Sequence, residues 1–334
     1  MTNFRAYRIV ETASGKYDRK IVEQNINNLP EGNVLIKVAY AGLNYKDALS
    51  SNGHKGITKE FPHTPGVDAS GVVTQSNSIL YQEGDQVLVT GYDLGMNTDG
   101  GFGEYIRVPA EWVVPLPATF DLRSAMILGT AGFTAALALY KMEMAGQTPE
   151  MGELVVTGAT GGVGSMAISV FSKAGYDVIA SSGKKSAYDY LKKLGAVRCE
   201  GRKFCNDEKK RPVARPKWAG GLDTVGGNTL TSLMASCGKN GSIAVCGLVG
   251  SPELNATVYP FLLNGINLIG VESAETPMEI RIKLWNKLSS IWKPEHLDEI
   301  ATDISLDQLD KYIVKILVGK TQGRIIVKHG SLIE

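Results

Sequence analysis

The chain has 334 residues, which is long enough for two domains with buried cores. Its 35 Lys and Arg residues against 34 Asp and Glu residues give a formal net charge of +1, so no nucleic acid or anionic membrane partner is indicated. We find no apolar run of about 18 residues, which a membrane helix needs, and the first residues lack the apolar core of a signal peptide. The four cysteines show no C-x-x-C spacing, which predicts reduced thiols in a cytoplasmic protein.

The first third of the chain is predicted to be rich in β-structure. Strand-like segments lie at 34–40, 71–73, 86–90 and 104–108, and glycine and proline residues separate them. No sustained helical period occurs between them. A small antiparallel barrel or meander is therefore expected.

A polar cluster follows the first of these strands. It consists of Asn44, Tyr45, Lys46 and Asp47, and it begins what reads as one helical turn. Such a cluster is typical of a helix N-cap with a solvated turn, or of the reactive groups of a site. The local residues leave both interpretations open.

The segment 125–137 is apolar and rich in small residues, which predicts a buried helix. An extended segment with several prolines, 109–121, precedes it. Thr130 is the one residue of this helix that we single out as a candidate contact beyond packing.

The stretch 154–171 predicts a dinucleotide-binding turn. Three apolar residues form a short strand, a glycine-rich turn follows, and a helix continues to Phe171. Small residues let the backbone approach a pyrophosphate, and the helix N-terminus supplies free N–H groups and a positive dipole end. A tight turn without a ligand is the alternative, because the spacing is G-x-x-G-x-x-G rather than G-x-G-x-x-G. The candidate cofactor contacts here are Thr160, Gly161, Gly162 and Val163.

The loop after the next predicted strand favours NADP over NAD. An NAD enzyme carries an acid at this place, whereas Asp177 lies at the start of the strand and Ser182, Gly183 and Lys184 lie at its end. A 2′-phosphate suits such a loop. The basic run 198–217 follows the third strand position; a solvated face is its usual meaning, but Arg202 is a candidate phosphate contact.

Further strands are expected near 222, 243 and 268, and they alternate with helices, which predicts a parallel, doubly wound sheet. The segment 322–328 reads as one more strand.

Several of these motifs resemble the medium-chain dehydrogenases/reductases, and across nearly its whole length the chain is similar to their zinc-independent, quinone oxidoreductase-like branch. More closely it resembles the YhdH/YhfP type, whose characterised members are NADPH-dependent acryloyl-CoA reductases. The motifs that carry the resemblance are 42–47, 65–71, 83–87, 129–135, 157–164, 182–184, 247–248 and 322–324.

The resemblance implies an α/β protein with a GroES-like β-rich barrel domain and a Rossmann domain with a doubly wound parallel sheet. The expected limits are 1–122 with 300–334 for the catalytic and substrate domain, and 123–299 for the NADP-binding domain. Zinc enzymes of the superfamily carry a cysteine near Asn44 or Tyr45 and a His-Glu pair at Val67 and Asp68, so no metal is expected here. His54 and His63 are accordingly interpreted as surface or hinge-loop residues.

The resemblance also implies a reaction and its residues. We expect hydride transfer from NADPH to the activated C=C of a short 2-enoyl-CoA. The alternatives are a quinone or alkenal reductase, or a dinucleotide-binding protein with little catalysis. Asn44, Tyr45 and Asp47 are the candidate catalytic residues, with Asp47 more typical of a structural partner of Lys46 or of the loop backbone. By the same resemblance a homodimer is expected, and the residues that approach the cofactor are Tyr45, Arg202, Leu248, Ser273 and Arg324.

Overall fold

The structure is a computed structural model, and it describes residues 2–330. The chain forms two compact units. The first comprises Met1–Thr130, Ala274–Trp285 and Leu297–Glu334, and the second comprises Ala131–Ser273 and Asn286–His296. One unit is built on a mainly antiparallel sheet and the other on a parallel sheet, so the predicted pair of folds is confirmed. The predicted domain limits stay a prediction.

The elements alternate between strands and helices after residue 150. The strands are β1 Asn3–Glu11, β2 Tyr17–Asn25, β3 Val34–Leu43, β4 Asp68–Ser76, β5 Gln86–Thr90, β6 Tyr105–Val108, β7 Val113–Pro115, β8 Leu154–Val156, β9 Val178–Ser181, β10 Ala196–Glu200, β11 Gly220–Asp223, β12 Ser242–Val245, β13 Asn267–Gly270, β14 Ala301–Ser305 and β15 Arg324–Lys328. The α-helices are α1 Tyr45–Ser50, α2 Leu122–Met144, α3 Gly162–Lys173, α4 Tyr188–Lys193, α5 Gly227–Ala235, α6 Tyr259–Asn264, α7 Met278–Leu288, α8 Leu297–Ile300 and α9 Leu309–Leu317.

The first unit contains a seven-stranded sheet. Its order is β14-β15-β3-β4-β5-β7, and β6 pairs with β3 off this path. Neighbouring strands are antiparallel except for β14 and β15. The apolar residues of β3 to β7 form one core cluster of this unit, which explains why the strand signals of 34–108 are strong. The hairpin of β1 and β2 forms a separate two-stranded sheet.

Strand β15 closes this unit from a distant part of the chain. It lies antiparallel to β3, with Ile325 opposite Leu43 and Val327 opposite Ala41. Its side chains are buried from Arg324 to Val327. The strand thus places Arg324 beside the end of β3, where α1 begins.

The second unit contains a six-stranded parallel sheet of order β10-β9-β8-β11-β12-β13. Numbered from β8, this order is 3-2-1-4-5-6, the doubly wound arrangement of dinucleotide-binding folds. The central strands are buried on both faces, which matches their continuous apolar sequences. In this arrangement ligands bind at the carboxyl ends of the strands, at the point where the strand order reverses between β8 and β11.

Helix α2 differs from the sequence prediction. Its 23 residues are interrupted at Gly129, where φ is 47° and ψ is −152°. The prediction of a continuous helix over 125–137 is therefore wrong. Helix α2 is also long and apolar enough, by length and composition, to cross a membrane, which corrects our expectation that no run qualifies. The qualifying window is 83% buried inside the protein, and packing in the core accounts for its apolar character.

Candidate active site

The glycine-rich turn lies between β8 and α3, as the sequence predicts. Gly158 has a φ of 58°, a conformation that L side chains rarely adopt. A Cβ on Gly164 would lie 2.4 Å from the carbonyl oxygen of Gly158, so only glycine lets the helix pack this closely on the turn. The first-turn N–H groups at Gly162, Val163 and Gly164 have no intrahelical acceptor, and they are suited to an anion. Thr160 is buried in the turn.

Replacing Gly164 with alanine should destabilise the second unit by about 1–3 kcal/mol and weaken NADPH binding, because the added methyl forces the turn and the helix apart. Thermal unfolding and titration of NADPH fluorescence measure the two effects. Gly201→Ala is a matched control, because its Cβ would meet no atom closer than 4.0 Å. Equal melting temperatures for the two variants would contradict the prediction.

The carboxylate of Asp223 fastens this turn to the neighbouring strand, a role that the sequence analysis missed. Its Oδ1 accepts from the hydroxyl of Thr157 at 2.6 Å, and its Oδ2 accepts from the N–H of Gly226 at 2.6 Å. The hydroxyl of Thr224 donates to the carbonyl of Thr157 at 3.0 Å. Burial raises the pKa of Asp223. These bonds fix the carboxyl ends of β8 and β11 where the ligand is expected.

Two cations converge at the loop after β9. Ser182 is buried, and its hydroxyl accepts from the backbone N–H of Lys184 at 3.1 Å. A Cβ on Gly183 would lie 2.6 Å from Nε of Arg202, so that guanidinium lies against the glycine. Burial and then the charge of Arg202 lower the pKa of Lys184. A phosphate at this loop would offset the repulsion between the two cations.

The acid nearest to this loop in the sheet is already paired. Glu200 ends β10, the strand beside β9, and its carboxylate accepts from Nη1 of Arg198 at 2.8 Å. Within residues 2–330, the guanidinium of Arg202 donates no hydrogen bond to Glu200 or to any other acceptor. The guanidinium of Arg202 thus lies against the loop after β9 with its donors free, and the carboxylate of Glu200 is occupied by Arg198.

Two other predicted cofactor residues lie along the same edge of the sheet. Leu248 follows β12 and is 60% exposed, and Ser273 follows β13 and accepts from the hydroxyl of Thr134 at 2.9 Å. Strands β12 and β13 lie three and four positions from β9 in the sheet order. At a strand spacing of about 4.8 Å, β12 and β13 are about 14–19 Å from β9, a separation that an extended dinucleotide can span.

In the first unit, the predicted catalytic residues occupy the start of α1. Asn44 is its N-cap, and Tyr45 is its first residue. Asp47 is fully buried: its Oδ2 accepts from the N–H of Asn44 at 2.7 Å and its Oδ1 from the N–H of Val67 at 2.9 Å. Burial, helped by the charge of Asp68, raises the pKa of Asp47 to about 7. Asp47 therefore holds the loop backbone, as the structural interpretation expects, and it does not reach Lys46.

Tyr45 is the exposed member of this group. Its side chain is 36% exposed, and among residues 2–330 its hydroxyl has no hydrogen-bond partner. Asn44, by contrast, has both amide N–H groups engaged, with the carbonyl of Gly42 at 3.1 Å and with Asp68 at 2.8 Å. Among the three candidate catalytic residues Asn44, Tyr45 and Asp47, the phenol is thus the group with a donor available for a ligand.

Arg324, which the resemblance places near the cofactor, is hydrogen-bonded within the first unit. It is 2% exposed, and its five N–H donors all point to acceptors of the first unit. The acceptors are the carbonyls of Leu43, Met126 and Ile127, Oδ1 of Asn44 and Oδ2 of Asp68. No donor remains for a cofactor. Thr130 is engaged in the same cluster, since its backbone N–H and hydroxyl both donate to Asp68.

The residues at the places of zinc ligands take other roles. Asn44 caps a helix, and Asp68 accepts from the Arg324 guanidinium at 3.0 Å. In the part of the chain that the structure describes, no three His, Cys, Asp or Glu side chains are grouped to hold a metal. His63 is buried rather than on the surface. Its Nε2 lies 2.9 Å from the carbonyl of Gly95, and burial lowers its pKa to about 4.

Comparisons of the sequence identify relatives of both units. The family profile "Alcohol dehydrogenase GroES-like domain" matches residues 30–118, and "Zinc-binding dehydrogenase" matches residues 162–289. The acrylyl-CoA reductase AcuI of Ruegeria pomeroyi is 39% identical over 314 residues, which cover 94% of this chain and 95% of AcuI. The Bacillus subtilis protein YhfP, which is named as a quinone oxidoreductase, is 46% identical over 302 residues, which cover 90% and 92%.

Solved structures agree with these matches. The yhdH oxidoreductase from Salmonella enterica, in complex with NADP, has a TM-score of 0.93 and 40% identity, and the match covers 98% of this chain and 100% of that chain. The structure of yhfP with NAD bound has a TM-score of 0.96 and 43% identity at the same coverage. The chain belongs to the medium-chain dehydrogenases/reductases, an oxidoreductase family, which confirms the predicted resemblance to the YhdH/YhfP type.

Proposed function

We propose that the protein is an NADPH-dependent oxidoreductase that reduces the activated C=C of a short 2-enoyl-CoA of the acryloyl-CoA type without a metal ion. The observation that carries the proposal is the hydroxyl of Tyr45, which has no hydrogen-bond partner within residues 2–330, on a helix start that Asn44 and Asp47 hold through their own hydrogen bonds. The name of the relative AcuI supports the acyl substrate. The relatives solved with NADP and with NAD support a nicotinamide cofactor.

Each group of residues has a task in this reaction. When bound, NADPH supplies a hydride for the β-carbon of the alkene. The free N–H groups at the start of α3 bind the pyrophosphate, and Lys184 and Arg202 neutralise the 2′-phosphate. Tyr45 donates a hydrogen bond to the thioester oxygen as negative charge develops there, and it supplies a proton, directly or through water. Asp47 and Asn44 hold the helix start in place.

Alkene reduction suits this site better than alcohol oxidation. Alcohol oxidation passes through an alkoxide, whose negative charge a Lewis acid stabilises in the zinc enzymes. Hydride addition to an alkene also develops negative charge. In an enoyl thioester, the conjugated carbonyl already delocalises that charge, so orientation and one hydrogen-bond donor suffice.

A quinone or alkenal reductase is the second candidate, and the name of YhfP favours it. Steady-state NADPH oxidation with acryloyl-CoA, crotonyl-CoA and simple quinones distinguishes the two. The proposal expects kcat/KM for acryloyl-CoA to exceed that for quinones. Faster turnover of quinones would support the alternative, and no turnover of any acceptor would favour a dinucleotide-binding protein with little catalysis.

We also propose a homodimer formed through the second unit. Strand β13 is an edge of the parallel sheet, and edge strands readily pair with another copy. Beside it in sequence, α6 leaves Tyr259, Leu262 and Leu263 exposed by 52%, 74% and 61%. An exposed apolar surface close in sequence to the edge strand of a sheet is typical of an interface.

Light scattering should therefore give twice the 35.9 kDa chain mass at micromolar concentration. The double variant Leu262→Glu/Leu263→Glu should shift the mass towards that of one chain, because two buried charges oppose association. Ile79→Glu, at an exposed residue of the first unit, is the control and should stay dimeric. A single-chain mass for the unmodified protein would contradict the dimer.

A cytoplasmic location, without a nucleic-acid or membrane partner, completes the proposal. Four free thiols and a net charge of +1 support it. Burial raises the pKa of Cys205 to about 11 and that of Cys237 and Cys246 to about 12, so these thiols are poor nucleophiles and stay reduced.

A further inference from the structure

Asp68 is the centre of a buried polar cluster in the first unit. It begins β4, and its side chain is inaccessible to solvent. Its Oδ1 accepts from the N–H of Thr130 at 2.9 Å and from the Thr130 hydroxyl at 2.6 Å. Its Oδ2 accepts from Nδ2 of Asn44 at 2.8 Å and from Nη2 of Arg324 at 3.0 Å. A buried carboxylate with this many donors is fixed in one orientation.

Two glycines lie so close to this cluster that a side chain at either position would overlap it. A Cβ on Gly42 would lie 2.3 Å from Nη2 of Arg324, and a Cβ on Gly129 would lie 2.4 Å from Oδ2 of Asp68. The break in α2 at Gly129 allows the next N–H, that of Thr130, to point at the carboxylate. The backbone on both sides is thus shaped around the ion pair.

The cluster leads directly to the start of α1. Nη1 of Arg324 donates to Oδ1 of Asn44 at 2.8 Å while Asp68 accepts from the amide nitrogen, so both ends of the Asn44 carboxamide are held. The backbone of Asn44 is held in turn by Asp47. Tyr45 is the next residue and has no hydrogen bond of its own in the described range. The backbone position of Tyr45 is therefore linked to the hydrogen bonds that hold Asn44.

We propose that Asp68 is a positioning residue of the reaction, which acts by fixing the carboxamide of Asn44 and through it the helix start that carries Tyr45. Asp68 does not touch the substrate. The inference rests on the proposed role of Tyr45, and it assigns a reaction function to the place where zinc enzymes of the superfamily carry a metal ligand.

The charge of Asp68 is needed for this task, because both of its oxygens accept from donors. In Asp68→Asn the new amide N–H₂ faces either the donors of Thr130 or those of Asn44 and Arg324, whichever way the amide is turned. The Asn44 carboxamide then loses its orientation. A displacement of about 1 Å at a reacting group can cost about 10²-fold in rate.

A double-mutant cycle between Asp68→Asn and Tyr45→Phe tests the inference, with turnover measured on whichever acceptor the unmodified protein reduces. In the unmodified background, Asp68→Asn should lower kcat between about 10-fold and about 10²-fold, with NADPH affinity kept within about threefold. In the Tyr45→Phe background it should cost less than about threefold, because the hydroxyl that it positions is already absent.

Asp99→Asn is the matched control. Asp99 forms a largely buried ion pair with Arg8 at 2.7 Å in the same unit, so its loss should lower stability, while its effect on kcat should be the same in both backgrounds. Equal losses from Asp68→Asn in the two backgrounds would overturn the inference, as would an unchanged kcat.

If Asp68→Asn yields no folded protein by circular dichroism, Thr130→Val replaces it in the cycle. This variant removes one donor to Asp68 and keeps the ion pair and the side-chain shape. It should lose activity in the unmodified background and not beside Tyr45→Phe, and an additive result overturns the inference. A failure of the proposed function is seen separately, as an unmodified protein that does not reduce an enoyl-CoA or as a Tyr45→Phe variant with full turnover.

Discussion

Tyr45→Phe should lower turnover by about 10²-fold or more while NADPH affinity stays intact. The phenol hydroxyl is a hydrogen-bond donor with no partner in residues 2–330, so its removal leaves the developing enolate without that hydrogen bond. The rest of the helix start should not change, because Asn44 and Asp47 hold it through other bonds.

Steady-state and single-turnover kinetics measure this loss, and NADPH fluorescence measures the affinity. Tyr312→Phe, which removes a partly buried hydroxyl on α9, serves as the control and should keep full turnover. A loss of less than about threefold for Tyr45→Phe would mean that a bound water supplies the proton and that Tyr45 only lines the site.

The double variant Lys184→Ala/Arg202→Ala should abolish the preference for NADPH over NADH. Hydrogen bonds to a charged group contribute roughly 1.5–3 kcal/mol each, so the loss of both cations should raise the KM for NADPH by about 10²-fold or more. NADH has no 2′-phosphate, and removing two cations that repel each other should leave its KM nearly unchanged.

Lys203→Ala provides the control, because this exposed lysine is the neighbour of Arg202. It should leave the KM for both cofactors unchanged. If the double variant loses NADPH and NADH equally, the two cations do not read the phosphate. The comparison is informative because one close relative was solved with NADP and another with NAD.

Much of the fold could be predicted because its signals are local. Strand 86–90 and the turn after 154–156 depend on nearby apolar and glycine residues, and the structure places β5 and β8 there. The hairpin of β1 and β2 was missed, although Phe4 and Ala6 alternate with exposed residues along β1. No Asn-Gly or Asp-Gly pair marks its turn.

The candidate site was predicted less well, since its decisive contacts join distant residues. Tyr45 and the Ser182 loop are predicted from neighbouring residues and stay predictions. The sequence shows Asp68 only as the replacement of a metal ligand, because its contacts with Thr130 and Arg324 join distant parts of the chain. Arg324 was assigned to the cofactor by resemblance, and its five internal bonds could not be read from one sequence. Asp223 was missed for the same reason.

The pairing of β15 with β3 has a consequence for how the protein is made. Arg324 bonds to Leu43 across 281 positions, and contacts at such separation form slowly because a long loop must close first. While the chain emerges from the ribosome, the six strands from β8 to β13 can assemble before residues 301–328 exist. Until those residues are synthesised, Asp68 lacks its guanidinium, and residues 40–43 of β3 lack the partner that β15 provides. While the first unit is incomplete, the nascent chain is therefore open to aggregation and to chaperone binding.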